Sequence, residues 1–106
     1  MKLTNEQIWR VNLILGKVSN NELSGKLAFK LFRIKKQLEE VVIIIQNSLK
    51  GKENEDKEVE EVMAIENEIY ISKLEASELE EIKLSMNDIL LLEPIIDFEN
   101  ERYEAN

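Results

Sequence analysis

The chain has no cysteine and no histidine, and only three glycines and one proline among its 106 residues. Without cysteine there is no disulfide framework and no thiolate metal site. Without histidine the commonest catalytic base and metal ligand is missing. The scarcity of glycine and proline leaves little material for tight turns, so the regular elements should be long. Long apolar runs are missing too. The longest, Val41-Val42-Ile43-Ile44-Ile45, is far short of the roughly 20 residues that cross a bilayer. The opening Met1-Lys2-Leu3-Thr4-Asn5-Glu6 turns polar too early for a signal peptide. Together these features predict a soluble cytoplasmic protein with no membrane association and no cofactor.

What the chain does have is charge, divided by position. Residues 1–52 hold ten Lys/Arg against four Asp/Glu, and residues 53–106 hold four against eighteen. A +6 segment therefore precedes a −14 segment, within an overall charge of −8. At this length, with 43% hydrophobic residues, one domain with one modest core is expected over residues 1–106. It should comprise a basic helical hairpin (1–52), an acidic α+β half (53–98) and a polar tail (99–106).

Thr4 and Gln7 form a T-x-x-Q capping box, and Ile8, Val11 and Leu15 follow at helical spacing. A first helix is expected over 5–15, with Gly16 placed to end it. After a polar connector, a second helix is expected from Ser24 or Gly25 to Leu49, with Gly51 as the stop. Its residues Leu27, Leu31, Ile34, Leu38, Val41 and Ile45 make a heptad seam. The β-branched run 41–45 would also suit a strand by propensity alone, so either form remains open there. As a helix it would be apolar on every side. That predicts a homodimer or higher oligomer with Leu31, Ile34, Leu38, Val41 and Ile45 at the interface.

Lys26, Lys30 and Arg33 lie within about 60° on the wheel of this helix. With Lys36 they could face nucleic acid. No aromatic interrupts the stripe to stack bases, and the chain is acidic overall. Direct nucleic-acid binding is therefore not expected, and a solvated face paired with the acidic half is the plainer reading.

In that half a short helix is expected over 56–66. The alternation at Ile69 and Ile71, followed by Leu74, reads as a strand, and Ile82-Lys83-Leu84 as a second. Ser77 looks like the cap of a short helix between them. Ser85 with Asp88 opens another helix that Pro94 terminates, with Ile95, Ile96 and Phe98 buried beyond it. The fold class expected is α+β and mainly helical, with a small two-stranded C-terminal element.

No pattern for catalysis stands out. Nucleophile elbow, phosphate loop and dinucleotide fingerprint are all absent, and the abundant carboxylates single out no pair in an apolar setting. Glu58, Glu61 and Glu66 could hold a divalent ion only as bare carboxylates, without calcium-loop spacing, so no metal is expected. The expectation is a non-enzyme that acts by surface contact. Its acidic face would be Glu53, Glu55, Asp56, Glu58, Glu60 and Glu61, with Glu75, Glu78, Glu80 and Glu81 as a second cluster.

Three segments resemble small proteins of tailed phages and prophages of low-GC Gram-positive bacteria. They are Leu3-Thr4-Asn5-Glu6-Gln7, the stretch from Leu23 to Leu31, and the stretch from Ile82 to Leu90 leading to Leu92-Glu93. Those proteins carry no assigned active site, so no functional residue is transferred. The resemblance implies a phage origin and action in the bacterial cytoplasm. The partner implied is a host protein with a basic surface, such as a nucleic-acid-binding defence protein. A self-assembling phage accessory is the alternative.

Overall fold

The computed structural model describes residues 1–52 and 54–98. Glu53 and the polar tail 99–106 lie outside the described residues. The described chain is mainly helical with one two-stranded antiparallel sheet, an α+β fold. Strand β1 (Lys2–Thr4) leads directly into helix α1 (Asn5–Val18). The capping box forms as expected. Gln7 N donates to Thr4 Oγ1 at 3.1 Å, and Thr4 N donates to Gln7 Oε1 at 2.9 Å. Gly16 does not end the helix. The apolar stripe continues through it to the buried Val18, and Ser19 closes the last turn by donating to the Gly16 carbonyl. The left-handed conformation occurs instead at Gly51, at φ 80°, just past the long helix.

Helix α2 (Gly25–Leu49) is capped by Ser24, whose hydroxyl accepts from Leu27 N. The run 41–45 is helical within it. Its inward line is Leu27, Leu31, Ile34, Leu38, Val42 and Ile45, all buried. Val42 replaces Val41 because a helix of about 3.6 residues per turn drifts away from a strict seven-residue repeat. Val41 is left half-buried.

Helix α3 (Asp56–Met63) is shorter than the stretch 56–66 expected. The strand follows at once as β2 (Glu66–Glu68), paired antiparallel with β1 in the register Leu3 to Asn67. The sheet therefore joins the two halves of the chain rather than lying within the second. Ile69 and Ile71 are not in the strand. Ile69 is buried just beyond it and donates its amide to the Met1 carbonyl at 2.8 Å. Ile82 to Leu84 form no strand either; Ile82 N closes a turn onto Leu79 O. Outside the sheet, Leu74 and Ile96 form an isolated parallel bridge.

Helix α4 (Ala76–Leu79) is capped by Glu75 rather than by Ser77, in a capping box with Glu78. Helix α5 (Met86–Leu92) has the expected Ser85–Asp88 box and passes at Pro94 into a single 3₁₀ turn, Glu93–Ile95. Ile95 and Ile96 are buried, whereas Phe98 is exposed. One hydrophobic cluster draws on both halves, from Leu3 and α1 through α2 to Ile69, Leu74, Ile82, Leu92, Ile95 and Ile96. Among the described residues no helix is long and apolar enough to cross a membrane.

Candidate functional site

Helix α3 is eight residues long and has three half-buried apolar residues, Val59, Val62 and Met63. It packs against α2 and α1, which fixes its apolar side inward. The acidic residues must then face out. Glu55, Asp56, Glu60 and Glu61 are exposed, as are Glu66 and Glu68 on the strand that follows. Asp56 and Glu58 in the first turn also suit the positive end of the helix dipole.

One local interaction orders this surface. A side-chain hydrogen bond between Glu55 and Glu58, and the repulsion between the two, push the Glu55 carboxyl up. The same bond, together with Lys52, holds Glu58 down. Lys52 Nζ lies 3.3 Å from Glu58 Oε2. Asp56, Glu60 and Glu61 have no cation against them among the described residues. Glu53, expected in the same face, lies outside those residues.

The second acidic cluster is used differently. Lys30 Nζ binds Glu78 Oε1 at 2.6 Å and the Lys73 carbonyl at 2.8 Å. Burial pushes Glu78 up, but the Lys30 hydrogen bond, the Glu75 amide and the nearby Lys26 outweigh it and hold the carboxyl below its usual range. Glu81 accepts from Ser24 N at 3.0 Å and from Ser24 Oγ at 3.2 Å, tying the start of α2 to the segment after α4. Asp88, buried at the start of α5, accepts from Lys17 Nζ at 2.8 Å. That bond and the Ser85 amide hold it low. Glu80 stays exposed.

The basic stripe is thus partly consumed inside the chain. Lys26, Lys30 and Arg33 line a groove of about 410 Å³ together with Glu75 and Glu78. Phe29 and Tyr70 line it too, aromatics that a reading of the stripe alone did not bring there. Arg33 stacks over the Phe29 ring at 4.7 Å. Lys36 lies outside this groove, 3.7 Å from Glu39. The groove is of mixed sign, so a phosphate entering it meets carboxylates as well as cations.

The seam expected as an oligomer interface is packed within the chain. Leu31, Ile34, Leu38 and Ile45 are buried within the single chain, and Val41 half so. Leu31, Ile34 and Leu38 belong to the one core cluster, so the chain's own elements cover the inner line, while Ile43 and Ile44 on the outer side stay exposed. Among the described residues no three acidic side chains come together to hold a metal, so Glu58, Glu61 and Glu66 do not converge.

Sequence reasoning also missed a buried polar knot beneath α3. Asn5 Nδ2 donates to the Val62 carbonyl at 2.7 Å, and Asn67 Nδ2 donates to Asn5 Oδ1 at 2.7 Å. Asn5 N donates to Ile65 O at 2.9 Å. This knot fixes where α3 ends and β2 begins. The only signal in the sequence was an Asn just after a capping Thr, which is common at helix starts and points to no partner. Comparison with known protein families, with curated proteins and with solved structures finds no match to this chain.

Proposed function

We propose that this chain is a non-catalytic, phage-type interaction module that docks the acidic surface of α3 on a basic surface of a host protein and inhibits it. A nucleic-acid-binding defence protein is the kind of target that fits. One observation carries this reading: Asp56, Glu60 and Glu61 are exposed with no cation against them among the described residues, while Asp88 and Glu78 are tied to α1 and α2. Densely placed carboxylates on a rigid helix imitate a phosphate backbone. They speed encounter with a basic groove and then occupy it.

The test is a tagged pull-down from nuclease-treated host lysate. The wild-type chain is expected to recover one near-stoichiometric host protein. A variant with Glu55, Asp56, Glu58, Glu60 and Glu61 changed to Lys should lose it while keeping its helical signal. Recovery of the chain alone, or of the same protein by the reversed variant, overturns the reading.

A second reading, a self-assembling accessory protein, is favoured by a different observation. Phe29, Phe32, Ile43 and Ile44 of α2 are all exposed. If α2 mediates assembly it does so through this outer face, since the inner seam is already covered.

A further inference from the structure

The outer face of α2 has its own pattern. Phe29, Phe32 and Ile43 fall within about 60° of one another on the wheel, on the side opposite the buried line, with Lys36 between them. Their exposures are 57%, 55% and 49%, and the neighbouring Ile44 is 63% exposed. Tyr70, 78% exposed, stands at the same flank, lining grooves that include Arg33, Lys36 and Glu40. Single exposed apolar residues are ordinary, but a line of them along one helix is not.

Charge along this face is divided by position. Arg33 and Lys36 lie toward the N-terminal end, beside the two phenylalanines, with Lys36 5.8 Å from the Phe32 ring. Glu39 and Glu40 follow, and from there to Leu49 the helix carries no charge. One end of the face is therefore aromatic and cationic, while the other is aliphatic with carboxylates at its near edge. Such a face is complementary to itself when reversed.

We propose that α2 pairs antiparallel with α2 of a second copy, about a two-fold axis near the midpoint of the helix. Phe32 then lies opposite the partner's Ile43, Lys36 opposite the partner's Glu39, and Phe29 opposite the partner's Gln46. On the flank, Arg33 meets the partner's Glu40. Spacings of three and four residues generate these layers, as in an antiparallel coiled coil, and the two-fold axis repeats each contact. Parallel pairing would set Lys36 against Lys36 and Glu39 against Glu39, which charge disfavours. The inference deepens the self-assembly reading and is independent of the α3 surface.

The absence of cysteine makes a direct test possible. Sedimentation equilibrium of the wild-type chain should give a dimer mass. Ile43→Glu, at an exposed position, should give a monomer with an unchanged helical signal. A mixture of Phe32→Cys and Ile43→Cys chains, oxidised together, should form the mixed disulfide in excess over either self-linked product. A monomer at every concentration up to about 0.1 mM overturns both this pairing and the self-assembly reading. A dimer that survives Ile43→Glu overturns the choice of face. A dimer in which Phe32→Cys links mainly to itself overturns the antiparallel arrangement and leaves self-assembly standing. Charge reversal on α3 should leave the dimer mass as it is, which separates this result from the fate of the acidic-surface reading.

Discussion

Two acidic segments of similar composition have opposite roles in this fold. In the segment around α4, Glu78 and Glu81 hold the C-terminal half against the N-terminal half of α2. On α3 Asp56, Glu60 and Glu61 face solvent, and among the described residues the half-buried Glu58 alone of its carboxylates has a cation, Lys52, from the loop before it. The difference comes from what each helix packs beside. The α4 segment faces the start of α2, where Lys26 and Lys30 lie, whereas α3 packs by its apolar side and leaves its charges outside. A carboxylate-rich segment is thus structural or available according to its neighbours, not its composition.

The change expected to erase this contrast altogether is Leu38→Asp. Leu38 is fully buried in the core that both halves share. An unpaired charge there should cost about 4 kcal/mol or more and leave no cooperative transition in urea. Asn5→Ala should act on the α3 side alone. It removes the Asn5 bond to the Val62 carbonyl, which keeps the Ile65 amide, and the Asn67 bond to Asn5, for a loss of about 1–3 kcal/mol. Amide exchange should rise around residues 62–68 while the α4 ties stay protected; a uniform rise along the chain would contradict this.

Glu78→Lys should break the other side. It removes a half-buried ion pair and sets a third cation near Lys26 and Lys30, for about 1–2 kcal/mol in chemical denaturation. Glu60→Lys and Glu61→Lys, by contrast, should each shift stability by less than about 0.5 kcal/mol. A loss comparable to that of Glu78→Lys would show that α3 is not a free surface.

Acid acts with either sign, residue by residue: Glu58 on α3 is held low, as are Glu78 and Asp88, while Glu55 just before α3 is held high. Asp88 and Glu78 are held low in the folded chain, so they contribute stability above the ordinary carboxylate range, about pH 4, that is lost as pH falls through their depressed values. Glu55 is held high, so the folded chain takes up its proton first and gains stability as pH falls toward that range. Melting midpoints across that interval should fall for the wild type. They should fall less steeply for Asp88→Asn, measured against its own value at neutral pH.

The helices were legible because their signals are local. Thr4 with Gln7, Ser24, Ser85 with Asp88, and Gly51 each act on amides or dihedrals within a few residues, and all four signals behave as their chemistry requires. The strands were not legible, because β1 and β2 find each other across the chain. Glu66, Asn67 and Glu68 carry no β-forming signature, whereas Ile69 and Ile71 do and yet pair with no strand. The acidic site could be read as a composition. Its division into a tied and a free cluster could not, since that depends on which helix stands opposite Lys30. The expected interface has the same limit: the periodicity of α2 identified a face that must be covered but not what covers it.

The pairing of β1 with β2 has a consequence for how the chain reaches this state. Asn67 reaches the Leu3 carbonyl across 64 residues of sequence, and the whole α1–α2 hairpin lies between them. During synthesis the first strand has no partner until the last residues of β2 have emerged, while α1 and α2 have each other much earlier. Closing so long a loop is slow unless something shortens it, and a preformed hairpin does so by bringing its two ends into one small volume. The sheet is thus the latch that closes last. Its formation should be the slow step in refolding, retarded by substitutions in the α1–α2 contact even where they lie far from either strand.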